Sequence, residues 1–314
     1  MDTSKIMDKI KGMIFGAMYG DALGAPHEFR KDKIKMEDLT MKPLRRFNRY
    51  QKTWSLSVPG QYTDDTEMAL IILAHLIHKN SFDEREIILD YMKWANAGTK
   101  FIGRNTKDLF KGVKTLSGYD KRFSTKYPTQ KEKDTALSNG ALMRCYPFAI
   151  YGLKHSDYLD VAMRDCAITN PSKIAQEVEK TYLISLMKAL QGKSKKSIVG
   201  NYDLTHAPDI KVNKGLCTHG LYCTYYGLMN YDNFQDAIKN IILLGGDCDT
   251  NGSCAGCTLG AYYGFDEMVK NKEFADGLKI ILSHNSMQGD YKRPPEYRPN
   301  VMLELMSHIE KFIS

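Results

Sequence analysis

The sequence predicts an all-α protein, a single domain over residues 1–314 in which many helices pack orthogonally in several layers. Three observations predict it. Apolar residues recur at three- and four-residue spacing in one segment after another, strand-like alternation is nearly absent, and two segments carry a glycine at every fourth position. These are Gly12, Gly16, Gly20 and Gly24 near the start, and Gly252, Gly256, Gly260 and Gly264 near the end. On a helix, positions four apart lie in a nearly straight row. Glycine in a helix interior costs roughly 1 kcal/mol relative to alanine, so a row of four implies that a second helix must approach very closely. No Gly-, Ser- or Pro-rich linker divides the chain, and no fixed-period repeat indicates a solenoid.

In chain order, Ile6, Ile10, Met13, Ile14, Ala17 and Met18 have helical spacing and predict a buried helix over 5–24, ending at Gly24-Ala25-Pro26. The polar stretch to about residue 60, with Pro43 and Pro59, reads as a long irregular connection. A helix restarts at Thr63-Asp64-Asp65-Thr66-Glu67, before the apolar run Met68 to Ile77, and Asp64 with Glu67 has capping-box spacing. Ser81 with Glu84 starts a helix over 82–96, and Asn105 or Thr106 starts a short one to about 116. Residues 117–138, charged and proline-containing, read as a second long loop. Ser138-Asn139-Gly140 then opens a helix reaching Ile150, and helical patterns follow over 157–168, 172–191, 214–229, 233–244, 252–263, 266–283 and 300–313. Residues 291–300 read as a proline-rich surface segment.

Composition narrows the function classes. There is no stretch of the roughly 18 to 20 apolar residues that a membrane span needs, nor a leader-like N-terminus, so the expectation is a soluble cytoplasmic protein with no membrane partner. Seven cysteines, an odd number in apolar contexts, fit reduced thiols. The net charge is +7, with basic clusters over 42–52, 121–133 and 193–196. These favour an anionic partner, but a solvated surface is the simpler account, and direct nucleic-acid binding is not expected.

The chemistry concentrates in two acidic clusters. Thr63, Asp64 and Asp65 stand at one helix start, and Asp247, Asp249 and Thr250 stand at the head of the second glycine row. Either cluster alone is an ordinary helix cap. Adjacent carboxylates, however, raise one another's pKa unless a cation shares them, and here they occur twice. All the groups are hard oxygen ligands, which suits two Mg²⁺ or Mn²⁺ ions and not a structural zinc. Glu28 follows the first glycine row on a loop, and Asp21 lies within that row, where a supporting role behind the ligands is expected. Asn139 and Gly140 offer backbone N–H groups to a phosphate; Asn170-Pro171-Ser172 is either a turn with an N-cap or a pocket-lining corner. Cys254 and Cys257 sit inside the small-residue helix, where cysteine acts as a compact apolar filler.

Taken together, GDALGAPHEF (20–29), YTDDTEMALIILAHLI (62–77), SNGALMRCYPFAIY (138–151), TNPS (169–172) and GGDCDTNGSCAGCTLGAYYG (245–264) resemble the ADP-ribosylglycohydrolase family, in the expected order. The resemblance implies an all-α fold with a dinuclear Mg²⁺ or Mn²⁺ centre at the base of an ADP-ribose cleft. It implies Thr63, Asp64, Asp65, Asp247, Asp249 and Thr250 as metal ligands and Glu28, or one of the aspartates such as Asp65, in acid/base catalysis. It further implies Ser138, Asn139 and Gly140 at the pyrophosphate and distal ribose, and Asn170 where several relatives carry histidine. Asparagine there keeps a hydrogen bond but no positive charge. Cys248 replaces a small or apolar residue between the two ligand aspartates and is expected to point away from them. The implied activity is hydrolysis of the bond between ADP-ribose and an acceptor, on a protein side chain or in a small-molecule conjugate. Two alternatives stand beside it: a non-catalytic ADP-ribose-binding relative, disfavoured because all six ligand positions are filled, and a metal-dependent nucleotide phosphohydrolase, whose E-x-x-E-D or His-Asp spacings are absent.

Overall fold

The computed structural model describes residues 2–314 except 42, 44, 49–52, 57, 100, 213 and 284–292; for 45–48 and 53–56 it describes the backbone only. The predicted basic cluster over 42–52 therefore lies largely outside the described residues, as do residues 291 and 292 of the proline-rich segment. The helices are α1 (Thr3–Gly24), α2 (Asp64–Lys79), α3 (Glu84–Asn96), α4 (Arg104–Phe110), α5 (Leu116–Lys126), α6 (Gln130–Asp134), α7 (Pro147–Tyr151) and α8 (Tyr158–Thr169). They continue with α9 (Lys173–Leu190), α10 (Lys195–Val199), α11 (Cys217–Asn230), α12 (Phe234–Leu243), α13 (Cys248–Tyr263), α14 (Phe265–Met268), α15 (Lys272–Ser283) and α16 (Pro299–Ile313). One hydrophobic core runs through them from Ile6 to Ile309.

The molecule is built on the pairing of α1 with α13, which run antiparallel with their glycine rows face to face. A Cβ added at Gly12 would lie 2.2 Å from the Gly260 carbonyl oxygen, at Gly16 2.2 Å from that of Gly256, at Gly20 2.0 Å from that of Gly252, and at Gly24 2.3 Å from that of Cys248. No side chain fits in this seam, which is the physical reason for the four-residue glycine period. Both helices are buried along most of their length. Lys9 of α1 donates to the carbonyls of Ala261 and Tyr262, so a cation caps the C-terminal end of α13. The antiparallel pairing carries Asp21, near the end of α1, to Asp247 and Asp249 at the start of α13.

The structure corrects four expectations. Within the stretch read as an irregular connection, β1 (Arg45–Asn48) and β2 (Thr53–Leu56) form an antiparallel hairpin, with Arg45 opposite Leu56. The second predicted loop, 117–138, is largely helical: α5 and α6 occupy it, because Leu116, Tyr119, Phe123 and Tyr127 turn one apolar stripe toward the core. After Ser138-Asn139-Gly140 the chain makes a single 3₁₀ turn, Leu142–Arg144, before the short α7, where one continuous helix was predicted. The proline-rich segment is not wholly on the surface, since Arg293 and Tyr297 are buried.

Two start signals also resolve differently. Helix α3 is capped by Asp83, which accepts from the N–H groups of Arg85 and Glu86, and not by Ser81. At α2 the N-cap position is Thr63, and Glu67 does not close a capping box. Its carboxylate instead accepts from Trp94 Nε1 at 2.7 Å and from Arg293 Nε at 2.6 Å.

Candidate active site

Three chain segments converge where α1 ends, α2 begins and α13 begins. Asp21 is fully buried and accepts from the backbone N–H groups of Thr63 and Thr66 and from the Thr66 hydroxyl, at 2.6 to 3.1 Å. One carboxylate thus caps the first turn of α2 from the neighbouring helix and fixes the Thr63–Asp65 turn in place. Thr63 Oγ1 lies 2.9 Å from Asp21 Oδ1 and 3.2 Å from Asp65 Oδ2. Across the gap, the Thr250 hydroxyl of α13 donates to Asp65 Oδ2 at 3.3 Å, and this contact joins the two acidic halves.

Glu28, Asp247 and Asp249 each offer a carboxylate oxygen within 4.8 Å of the others. Asp64 is partly exposed at the edge of this group and accepts the Gly103 N–H at 3.2 Å. Burial, then the neighbouring charges, push these carboxyls upward. Asp64 is pushed up to about 7 by burial and by Glu28, and Asp21 to about 6 by burial, against its four hydrogen bonds. Asp65 is held well above the carboxylate range by burial and by Asp21, Asp64 and Asp247; Asp249 likewise by burial and by Glu28, Asp247 and Asp65. The Oδ1 atom of Asp65 is buried without a hydrogen-bond partner. Crowded carboxylates with raised pKa values and an oxygen lacking a donor are what a hard divalent cation relieves, so the residues present fit the implied metal.

The remaining predicted site residues surround this group. Asn139 is buried and its amide donates to Asp247 Oδ2 at 2.9 Å, while its backbone N–H is given to the Gly215 carbonyl. That N–H is therefore already engaged and not open to a phosphate; the side chain is what reaches the acidic group. Asn170 is fully buried, donating to the Ser138 carbonyl and hydroxyl at 2.9 Å and accepting from the Thr169 hydroxyl. It holds the Ser138 turn from beneath. Gly140 lies beside Thr106 and Asn170, and its carbonyl accepts from Arg144. Cys248 turns its thiol toward the carbonyls of Ile242 and Gly246. Cys254 and Cys257 are buried free thiols within α13.

Two supports of the site were not read from the sequence. Arg144 is completely buried; it pairs with Asp165 at 2.9 Å, donates to the Gly140 carbonyl and the Thr169 hydroxyl, and lies over the Tyr91 ring. It ties the Ser138–Gly140 turn to the Thr169–Asn170 corner. A charged residue inside the apolar run ALMRCYPFAI was the available signal. The other support is Arg293, which donates to Glu67 and to the Tyr62 carbonyl with its guanidinium 3.6 Å above the Tyr62 ring. It braces both flanks of the Thr63–Asp65 turn, and no local pattern around residue 293 announces it.

The family model for ADP-ribosylglycohydrolase matches residues 2–272. The chain belongs to the ADP-ribosylglycohydrolase family. It is 27% identical over 286 residues to the ADP-ribosyl-[dinitrogen reductase] glycohydrolase of Rhodospirillum rubrum, covering 85% of this chain and 90% of the relative. It is 24% identical to an ADP-ribosylarginine hydrolase of Serratia proteamaculans, covering 85% of this chain and 75% of the relative. An ADP-ribosylhydrolase of Xenopus tropicalis is 22% identical, covering 87% and 92%. The solved structure titled ADP-ribosylglycohydrolase-related protein complex superposes with a TM-score of 0.66 at 23% identity, covering 88% of this chain and 98% of that one, which establishes the shared fold. As a member of this family the protein is an enzyme of the ADP-ribosyl hydrolase class. Residues 273–314, which include Arg293 and α16, lie outside the family match. Among the described residues, no helix is long and apolar enough to cross a membrane.

Proposed function

We propose that this ADP-ribosylglycohydrolase cleaves the bond between C1 of the distal ribose of ADP-ribose and an acceptor on a protein side chain or small conjugate, with two divalent cations, Mg²⁺ or Mn²⁺, as cofactors. Thr63, Asp64, Asp65, Asp247, Asp249 and Thr250 would hold them. The single observation carrying this reading is the convergence of Glu28, Asp247 and Asp249 within 4.8 Å, with Asp65 linked to the same group through Thr250. When bound, the cations supply charge stabilisation for ribose hydroxyls and lower the pKa of a water.

The chain's own residues do the rest. Heterolysis at C1 builds oxocarbenium character on the sugar, and the carboxylates around it favour that developing positive charge. Glu28 sits at the edge of the acidic group, partly accessible, where it can pass a proton to the leaving acceptor and take one from the incoming water. Asp65 is the second candidate for this proton work. Asn139 fixes the orientation of Asp247 through its amide, and the Ser138–Gly140 turn, held by Asn170 and Arg144, forms the wall for the pyrophosphate and distal ribose. The products are ADP-ribose and the restored acceptor.

The relatives' names place arginine and dinitrogen reductase among their substrates, so arginine-linked ADP-ribose is the first acceptor to test here. We place the protein in the cytoplasm, where its seven buried free thiols stay reduced, and take residues 1–314 as one functional unit. The deciding experiment measures ADP-ribose release from arginine-linked and serine-linked substrates side by side, with added Mg²⁺ or Mn²⁺ and after chelation. Release that persists undiminished in metal-depleted protein defeats the metal-dependent scheme.

A further inference from the structure

We propose that Phe29 is a positioning residue whose strained backbone and restrained ring hold the Glu28 carboxyl against Asp247 and Asp249. The catalytic part of this inference rests on the hydrolase reading above. Phe29 has φ +53°, and among the described residues the one other non-glycine with positive φ is Asn80, at the C-cap of α2. Asparagine tolerates a left-handed cap; an aromatic residue in that conformation is an outlier that its surroundings must enforce.

The surroundings that enforce it all lead to Asp247. The Phe29 N–H donates to the Gly246 carbonyl at 2.8 Å, one residue before Asp247. Gly246 is itself closely packed, since a Cβ there would lie 2.5 Å from the Ile210 carbonyl oxygen. On the other side, the Lys214 ammonium lies 5.6 Å from the centroid of the Phe29 ring. The next residue, Gly215, packs against Asp247 so closely that a Cβ would sit 2.9 Å from Oδ2, and it accepts the Asn139 N–H. Glu28 is thus followed by a residue fastened to the two turns that flank Asp247. Phe29 is 38% exposed, so core packing does not explain its conformation. Glycine would take the same φ without strain but would equally take others, and the ring's hold on Lys214 would be lost.

The test compares the full chain with its Phe29→Gly, Phe29→Tyr and Lys214→Met variants, reading thermal unfolding, hydrogen exchange of the segment around residues 26–31, and kcat and KM for ADP-ribose release. Phe29→Gly is expected to unfold no earlier than the parent, to exchange this segment about tenfold faster, and to lose roughly tenfold or more in kcat with KM little changed. Phe29→Tyr, which keeps the ring, should restore both readouts, and Lys214→Met should fall between. Parent-like exchange in Phe29→Gly overturns the proposal, as does faster exchange with undiminished kcat. A parent protein that releases no ADP-ribose would overturn the hydrolase reading instead, and the exchange comparison would still uphold or overturn the placement of Glu28.

Discussion

Replacing Gly20 by alanine tests the structural premise on which the site depends. At an exposed helix position, glycine to alanine stabilises by roughly 1 kcal/mol. Here the new Cβ would lie 2.0 Å from the Gly252 carbonyl oxygen and 2.4 Å from its carbon. Ordinary contact begins near 3.4 Å, so the two backbones would have to part by about 1.4 Å (3.4 minus 2.0), and no rotamer change can relieve a clash of backbone with Cβ. Taking the upper end of the usual overpacking cost, about 3 kcal/mol, against the propensity gain leaves a net loss of roughly 2 kcal/mol. For a chain of this size that is a fall of about 4 °C in Tm. The row also predicts a gradient. Gly12→Ala meets a similar clash, 2.2 Å from the Gly260 oxygen, but at the end of the seam away from the acidic group. Gly24→Ala meets the Cys248 carbonyl beside Asp249. Both should lose stability, whereas per folded molecule only the Gly20 and Gly24 variants should lose most of the ADP-ribose release. Calorimetry with activity normalised to folded protein measures this. A Gly20→Ala variant as stable as the parent would refute the close approach of α1 and α13.

Asp247→Ala or Asp249→Ala should abolish both turnover and the rise in Tm produced by added Mg²⁺ or Mn²⁺; a full metal-induced rise in either variant removes that residue from the ligand set. The raised carboxyls predict a pH slope. Asp64 and Asp21, at about 7 and about 6 in the fold against 3.8 ordinarily, bind more protons folded than unfolded over that window. In chelator their contribution therefore favours the fold at low pH and is lost as pH rises from about 4 to about 7. Thermal unfolding across that range should show a smaller decline in Asp64→Asn than in the parent, and saturating divalent cation should flatten the parent's slope; identical slopes for parent and variant would exclude this account. Arg293→Met leaves Glu67 buried without its guanidinium, which costs about 3–5 kcal/mol, and adding Glu67→Gln to it should recover part of the loss in urea unfolding. A loss below about 1 kcal/mol for the single variant would mean that the buried pair braces nothing.

What could be read in the sequence is what leaves a local trace. A glycine period of four is written directly into α1 and α13, because only glycine permits backbones at that distance. Paired acids at two helix starts likewise stand out over four residues. The stripe Leu116, Tyr119, Phe123 and Tyr127 was equally legible, at spacings of three, four and four, but the charges between its members and Pro128 masked it. The hairpin of β1 and β2 leaves no such trace: four-residue strands depend on the partner they find and not on their own pattern. Glu67 was the most misleading residue. Its spacing from Asp64 imitates a capping box, yet its partner Arg293 lies 226 positions away. Asn139 was read through its backbone, whereas its side chain is the group that reaches Asp247.

The position of the acidic group follows from the seam. An antiparallel α1/α13 pair must bring the end of α1 to the start of α13, and Asp21 then draws in the start of α2 through its hydrogen bonds to Thr63 and Thr66. Two helix N-termini consequently point at one small volume. Their dipoles favour negative charge, which accounts for acids in the first turns of α2 and α13. The favour is limited to roughly 0.3–2 kcal/mol at each terminus, and it does not balance the cluster. Asp64 is still pushed up to about 7, and Asp65 and Asp249 remain well above the carboxylate range. The deficit has the sign that added positive charge removes, and the two buried arginines behind the site are already committed, Arg144 to Asp165 and Arg293 to Glu67. The fold thus concentrates carboxylates beyond what these helix dipoles offset, and that imbalance is the physical ground on which divalent ions are proposed for this end of the seam.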